Sequence, residues 1–174
     1  MQSQETVILW LNRYAENESA VDDTLERISA LRSRMESPRA ATLTGMPRSG
    51  GYDGDLFTRG LTQIEELEEK AQALLQTSKT LYREINDAVD QITGKGAAHL
   101  RCVLRCRYLD CFSWNEVNEI LFSRKPDFDD KVETYLRRTF RIHKDALEAL
   151  QEIVPDFGVQ EITKNEEEKN NGTK

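Results

Sequence analysis

Two long stretches in which apolar residues recur at alternating steps of three and four most strongly constrain the fold of this 174-residue chain. The first stretch, from Thr6 to Met35, contains no glycine or proline, and the second extends from Asp55 to Ile92. Such spacing is typical of the seam of a coiled coil. The first predicted seam is Leu11, Tyr14, Val21, Leu25, Ile28 and Met35, with polar interruptions at Glu18 and Arg32. The second is Phe57, Leu61, Ile64, Ala71, Leu75, Tyr82, Ile85, Val89 and Ile92, flanked by Leu67, Leu74, Leu81 and Ala88.

A loop rich in proline and glycine separates the two stretches. Residues 37–54 contain Pro38, Pro47 and four glycines, a composition that ends helices. Two long helices joined by one loop are expected to run antiparallel. We therefore predict that residues 1–93 form a long antiparallel helical hairpin with a coiled-coil-like seam. Its expected role is homo-oligomerisation or contact with a partner protein.

Three shorter helical patterns follow the hairpin. The segment "TGKG" at residues 93–96 supplies two glycines that can adopt left-handed backbone geometry and end a helix. The three patterns then span roughly 97–109, 113–122 and 129–150. Ser113 and Glu116 have the spacing of a capping box, which fixes the start of the middle helix. Residues 97–150 are thus predicted to form a three-helix, helix-turn-helix domain in an all-α protein, and the acidic tail 155–174 is predicted to be disordered.

The composition argues against several functional classes. No apolar run approaches the roughly 20 residues of a bilayer span, and the N-terminus has no secretory pattern. Three closely spaced cysteines argue against a secreted disulfide framework, so a cytoplasmic protein without membrane contact is expected. No glycine-rich phosphate loop, nucleophile elbow or metalloprotease motif occurs, and only two histidines are present. The chain is therefore predicted not to be an enzyme and to need no cofactor.

The cysteines also raise the question of a metal site. His99, Cys102 and Cys106 share one face of the first short helix, and Cys111 follows that helix. Thiolates and an imidazole at this spacing can hold zinc tetrahedrally. However, the chain lacks a C-x-x-C pair, and free cysteine is among the most buried residue types. We predict core packing here rather than a bound metal.

The distribution of charge bears on a nucleic-acid partner. The whole chain has a formal net charge of −7, whereas residues 98–150 contain ten Lys/Arg and nine Asp/Glu. Within that segment Arg137, Arg138, Arg141 and Lys144 recur at helical spacing. Because a local basic face is what meets phosphates, the negative total does not exclude DNA, although it predicts weak non-specific binding. A solvated basic helix face is the alternative interpretation.

A family resemblance supports the DNA interpretation. "LRCVLRCRYLDCFSWNEVNEIL", followed by "YLRRTFRIHKDALEAL", resembles region four of bacterial sigma factors and its phage relatives. The shared pattern is an R-Y-L helix end, a Ser/Thr-Trp-x-Glu helix start and a recognition helix that runs into Ala-Leu-x-x-Leu. Over roughly residues 30–150, the two heptad helices, the "GMPRSGG" loop and this module are similar to a phage and prophage family of Gram-positive bacteria. Its nearest functional analogues are late-gene transcription activators of the RinA and ArpU type.

The resemblance implies roles for particular residues. Residues 107–109 match the first helix end, and residues 113–116 match the second helix start. Two departures from the pattern are Asn118, where a small alanine is usual, and the long connection at residues 123–133. The implied DNA contacts are Arg137, Arg138 and Arg141 to bases or phosphates, Lys144, Arg124 and Lys125 to the backbone, and a phosphate anchor at the Ser113 helix start.

The predicted function is sequence-specific binding of double-stranded phage or prophage DNA to regulate transcription in the cytoplasm of a bacterial host, with RNA polymerase as a second candidate partner. Two alternatives remain open at this point. Small terminase subunits of the DNA-packaging machinery also join a helix-turn-helix to a helical hairpin and assemble into rings. A protein-interaction module without DNA binding would use the same fold and leave the basic face solvated.

Overall fold

The computed structural model of the protein describes residues 4–36 and 54–154, with side chains in the second range from residue 58 onwards. Five α-helices account for most of these residues: α1 (Gln4–Glu36), α2 (Gly54–Asp90), α3 (Ala97–Leu104), α4 (Trp114–Phe122) and α5 (Val132–Ile153). A π-helical turn, Arg105–Leu109, continues α3. No strand occurs within the described ranges, which confirms the all-α prediction. Residues 37–53 of the predicted loop, the predicted tail and the side chain of Phe57 lie outside the described part of the chain.

The chain divides into two compact units, which are described separately. The two-helix unit comprises residues 16–80 and contains α1 from residue 16 to its end and α2 up to residue 80. The five-helix unit comprises residues 1–15 and 81–174, so the first turns of α1 and the last turns of α2 belong with α3, α4 and α5. These boundaries lie elsewhere than the predicted ones, which separate residues 1–93 from residues 97–150.

The two-helix unit has a narrow apolar core. Buried Ile28 of α1 packs with buried Ile64, Leu67 and Ala71 of α2, and half-buried Leu31 and Met35 pack against this cluster. Polar contacts continue the interface. The Asn17 amide donates to the Leu74 carbonyl oxygen (2.9 Å) and to Ser78 Oγ (2.6 Å), and the Arg32 guanidinium pairs with the Glu68 carboxylate. Asn17, early in α1, contacts Leu74 and Ser78, whereas Arg32, later in α1, contacts Glu68. The helices therefore run antiparallel within this unit.

The predicted seams are wrong at four positions. Leu25, Leu61, Leu75 and Tyr82 are exposed, whereas Thr24, Leu67, Leu81 and Ala88 are buried instead. Thr24 is not part of the predicted seam. The Thr24 hydroxyl donates to the Ala20 carbonyl oxygen (2.7 Å), so its burial leaves no unpaired donor. The buried stripe of α2 combines two predicted rows: Ile64, Ala71, Ile85, Val89 and Ile92 of the seam, and Leu67, Leu81 and Ala88 of its flank.

The five-helix unit has a wider core, because every described helix except α4 contributes to its largest cluster. Val7 and Leu11 of α1, Val89 of α2, Leu104 of α3 and Leu150 of α5 are all fully buried there. A second cluster joins α3 to α4 through Val103, Cys106 and Val117. Helices that each bury one stripe are stable only against such neighbours.

Two glycines and two arginine side chains lie where α2 ends and the chain turns into α3. Gly94 (φ 103°) and Gly96 (φ 87°) adopt the left-handed geometry predicted for "TGKG". Arg101 Nη1 donates to the Ile92 carbonyl oxygen (3.0 Å) just beyond α2. Arg105 donates to Asn86 Oδ1 (3.0 Å) and Asp90 Oδ1 (2.6 Å). Cationic side chains beside a helix C-terminus interact favourably with its dipole, so these contacts fix the direction of α3.

Candidate nucleic-acid interface

The start of α4 has the predicted capping box. Ser113 Oγ accepts the Glu116 backbone N–H (3.4 Å), and Glu116 Oε2 accepts the Ser113 backbone N–H (2.7 Å). These bonds lower the pKa of Glu116, so its carboxylate stays ionised beside the helix start. The Ser113 hydroxyl keeps its own hydrogen to donate to a phosphate. The neighbouring Glu116 charge opposes that contact, which makes Ser113 the weakest of the predicted DNA contacts.

Trp114, the first residue of α4, is held by side chains from both neighbouring helices. Its ring centroid lies 5.0 Å from that of Phe140 and 4.9 Å from that of His143, both in edge-on arrangements. The Arg107 guanidinium lies over the indole, 5.1 Å from its centroid, and also donates to the Phe112 carbonyl oxygen (2.9 Å). Trp114 also packs against the apolar cluster that joins α3 to α4.

A hydrogen bond between Tyr108 and His143 lies behind this aromatic group. The Tyr108 hydroxyl oxygen is 2.9 Å from His143 Nε2, and either group can donate, depending on the imidazole tautomer. Burial, with a smaller contribution from the Arg107 charge, lowers the pKa of His143 to about 4. Burial also raises the pKa of Tyr108. Both groups are therefore neutral at pH 7, and His143 contributes to packing rather than to the basic surface.

A buried polar pair joins the middle of α4 to α5. Asn118 is 1% exposed and Thr139 is fully buried. The Thr139 hydroxyl lies 3.1 Å from both Asn118 Oδ1 and the Tyr135 carbonyl oxygen, and Asn118 Nδ2 donates to the Val132 carbonyl oxygen (3.4 Å). An apolar residue at position 118 would make no such bonds. The departure at Asn118 is thus matched by a partner on α5.

The long connection after α4 is built around Asp127. Its carboxylate accepts hydrogen bonds from Lys131 Nζ (2.8 Å) and the Tyr135 hydroxyl (2.7 Å), which lower the pKa of Asp127 to about 2. Consecutive turns close from Lys125 to Phe122 and from Phe128 to Lys125. The connection is therefore a hydrogen-bonded segment, and α5 begins at Val132 rather than at the predicted residue 129.

The contacts between α4 and α5 advance in opposite directions along the two helices. Trp114 meets Phe140 and His143 at one end, whereas Phe122 at the other end packs on Tyr135, with ring centroids 4.9 Å apart. The two helices thus pack antiparallel over the length of α4. The long connection joins the end of α4 to the start of α5 at the Phe122 end of this pair.

The predicted basic residues of α5 fall into two groups. Arg137, Arg141 and Lys144 are exposed along its outer face. Arg137 approaches Glu133 (3.9 Å) and Lys144 approaches Glu148 (3.8 Å), both exposed pairs at the limit of ion-pair distance. Such pairs contribute little and exchange readily for other anions. Among the described residues, Arg141 has no ion-pair partner.

Arg138 belongs to the second group. Its guanidinium lies 5.2 Å from the Phe122 ring centroid, at the C-terminal end of α4. Arg124 and Lys125, both exposed, follow Phe122 by two and three residues. These three cations therefore lie near one end of the α4–α5 pair, whereas Arg137, Arg141 and Lys144 extend along α5.

Two further residues of this surface were not among the predicted contacts. Phe140 is 43% exposed between the outer face of α5 and Trp114. Arg107 lies beside the same indole. The signal for Phe140 was present in the sequence, since its spacing of three and four from Arg137 and Lys144 places it on their helix face. The signal for Arg107 was absent, because its orientation depends on the fold of residues 105–113.

The three cysteines lie in α3, in the π-helical turn and in the segment before α4. Cys102 Sγ is 3.8 Å from Cys106 Sγ, while Cys111 and His99 are exposed. Burial, together with the neighbouring Cys102, raises the pKa of Cys106 to about 12. Cys106 packs with Val103 and Val117 as predicted. Within residues 4–36 and 54–154, no three His, Cys, Asp or Glu side chains form a metal-binding group.

Comparisons with protein-family models, curated proteins and solved structures find no match to this chain. No helix in the described ranges is long and apolar enough to cross a membrane. The functional interpretation consequently depends on the residues and contacts of the chain itself.

Proposed function

We propose that the protein is a phage or prophage transcriptional regulator that binds double-stranded DNA through a helix-turn-helix made by α3, α4 and α5, with α1 and α2 as its helical hairpin. The observation that carries the proposal is the outer face of α5, where Arg137, Arg141 and Lys144 are exposed and weakly paired or unpaired within the described residues. Arginines on one helix face suit bidentate contacts to guanine and charge pairing with phosphate.

The arrangement of α4 supports this role for α5. The Asn118–Thr139 pair and the Trp114 contacts hold the two helices together at the middle and at the start of α4. A groove-reading helix gains specificity when its supporting residues keep it rigid. The second basic group, Arg124, Lys125 and Arg138, supplies charge for the phosphate backbone at the other end of the pair.

The extent of the basic surface sets the expected affinity. Asp145, Glu148 and Glu152 are exposed after Lys144, so the positive part of α5 is confined to residues 137–144. Each neutralised phosphate adds about 0.9 to the slope of log affinity against log salt. A handful of contacts on an acidic chain gives weak non-specific binding that falls steeply with salt. RNA polymerase is the second partner that we propose.

We also propose that the hairpin mediates homo-oligomerisation. The apolar side chains of Leu25, Leu61 and Leu75 are exposed in the two-helix unit, and further helices packed on this pair would remove them from water. A mass measurement separates a dimer from the large closed ring expected of a small terminase subunit.

The decisive experiment compares wild type with Arg141→Ala by fluorescence anisotropy, using duplexes from the prophage region of the gene and random duplexes over a salt series. We expect Arg141→Ala to weaken specific binding about tenfold and, for a phosphate contact, to lower the salt slope by about one. Its melting temperature should not change, because an exposed arginine contributes little to folding.

Arg83→Ala is the matched control, since Arg83 is an exposed arginine of α2 outside the proposed interface. It should bind like wild type. Equal binding by wild type and Arg141→Ala, or no binding by any of the proteins at low salt, would remove DNA reading and favour the protein-interaction module.

A further inference from the structure

Phe140 is an apolar side chain on the polar side of α5. It is 43% exposed, although α5 has an apolar face formed by residues such as Ala146, Leu147 and Leu150. On a helix, residues three and four apart are neighbours, so Phe140 lies beside Arg137 and Lys144. The proposed interface therefore contains one apolar surface among cations.

The Phe140 ring packs against one other aromatic ring, that of Trp114. The Trp114 ring meets it with a centroid distance of 5.0 Å and an interplanar angle of 62°. Trp114 is itself held by Arg107 and His143 and begins α4 directly after the Ser113 cap. Despite this contact, Phe140 keeps a large accessible surface. An aromatic ring anchored in this way presents apolar surface at little cost in conformational entropy.

The chemistry of the major groove identifies what such a surface can contact. Base edges there present hydrogen-bond donors and acceptors, and the C5 methyl of thymine is the apolar group among them. Phosphates are charged and offer the ring no comparable partner. A phenylalanine flanked by Arg137 and Lys144 thus matches a thymine next to bases or phosphates that those cations bind.

We propose that Phe140 is a specificity-determining residue that packs on the C5 methyl of a thymine in the bound duplex. This assignment depends on the proposed function, because it requires α5 to lie in the major groove. It adds a preference for an A·T pair at one position beside the contacts of Arg137 and Lys144. Burial of one methyl group contributes about 0.8 kcal/mol, which corresponds to about a fourfold difference in affinity.

The test begins with a duplex enriched from a random library on the full-length protein at low salt. Each thymine of that duplex is then replaced singly by deoxyuridine, which removes only the C5 methyl. Wild type should lose about fourfold in affinity at one or two of these positions and show no change at the others. Phe140→Ala should bind the thymine and uracil forms equally, about as weakly as wild type binds the uracil form.

Two variants control for other effects. Phe140→Leu keeps an apolar side chain and should retain part of the thymine preference. Ile120→Ala removes an exposed apolar side chain of α4 outside the proposed thymine contact, and it should keep the full preference. Melting temperatures of all three variants show whether the fold persists, and the thymine–uracil comparison on wild type needs no variant.

The remaining outcomes separate the inference from the proposed function. Enrichment of a duplex that wild type binds equally well with thymine and uracil overturns the role of Phe140 while DNA binding stands. A thymine preference that persists in Phe140→Ala assigns the methyl contact to another residue and also overturns it. Unchanged binding of every duplex by Phe140→Ala points to a protein partner for the ring. Failure to enrich any duplex overturns the proposed function and this inference together.

Discussion

The two compact units differ in how many helices share each core. In the two-helix unit, Ile28 meets Ile64, Leu67 and Ala71, and polar pairs such as Asn17–Ser78 complete the interface. In the five-helix unit, turns from α1, α2, α3 and α5 surround one cluster in which Leu11, Leu104 and Leu150 are fully buried. A helix with neighbours on several sides buries more of its stripe than a helix with one partner. Stability should therefore be concentrated in the unit that carries the proposed DNA interface.

The largest effect is expected in the core of the five-helix unit. Leu104→Ala removes a fully buried side chain surrounded by several helices, which leaves a cavity that cannot collapse easily. We expect a loss of about 2–5 kcal/mol in the free energy of unfolding, measured by denaturant titration. Leu9→Ala, an exposed leucine of α1, is the matched control and should change stability by less than about 0.5 kcal/mol. A small effect of Leu104→Ala would mean that the wider core is loosely packed.

A smaller effect is expected in the two-helix unit. Ile28→Ala should cost about 2 kcal/mol, close to the transfer term alone, because a core between two helices can relax into the vacated space. Hydrogen exchange should show lost protection within residues 16–36 and 58–80, while amides around Leu104 keep theirs. Equal loss of protection in both units would show that the chain unfolds as one cooperative body.

The next effect concerns polar rather than apolar packing. Thr139→Val keeps the shape of the side chain but removes the hydroxyl that donates to Asn118 Oδ1, so we expect a loss of about 1 kcal/mol. Thr80→Val is the matched control, since the exposed Thr80 hydroxyl bonds only to the Gln76 carbonyl oxygen of its own helix. If Thr139→Val were as stable as wild type, the Asn118 pair would not contribute to holding α4 on α5.

The remaining effect appears only with pH. The folded pKa of His143 is about 4, below the ordinary value of 6.5, because burial disfavours the imidazolium. The unfolded chain therefore takes up this proton first as pH falls, and stability present above pH 6.5 is lost as pH falls from 6.5 to 4. Asp127, with its folded pKa of about 2 and an ordinary value of 3.8, adds a loss only below about pH 4.

Melting temperatures measured from pH 7.5 to 4.5 test this expectation. Wild type should lose stability across the range, whereas His143→Gln, which has no imidazole to protonate, should lose less. His99→Gln replaces an exposed histidine and should follow wild type. Parallel curves for wild type and His143→Gln would show that burial does not lower the pKa of His143 in the folded protein.

Local patterns in the sequence were sufficient for several features of the structure. The capping box at Ser113 and Glu116 and the left-handed glycines of "TGKG" need only residues within a few positions of each other. The helical segments followed from periodicity, with boundaries within a few residues of those observed. Cys106 was placed in the core from its residue type and spacing. Each of these depends on backbone geometry and hydropathy, which residues close together in the sequence determine.

Other features depended on residues far apart in the chain. Exposure of Leu25 in place of Thr24 is set by which face of α1 meets α2. The partner of Asn118 is 21 positions away, and Arg107 reaches Trp114 only because residues 105–109 form a π-helical turn. The separation of Arg138 from the face of Arg137 and Arg141 likewise depends on the position of Phe122.

The sequence by itself determined that this chain is helical and, to within a few residues, where its helices start and stop. It also determined that its cations concentrate in one late segment. These properties follow from local propensity, spacing and composition. Only the tertiary structure decided which rows of α1 and α2 are buried, that their outer turns share a core with α3 and α5, and that Phe140 stands exposed beside Lys144 against Trp114. Burial and orientation are settled by packing between distant segments, where volume, hydrogen bonding and access to water act together.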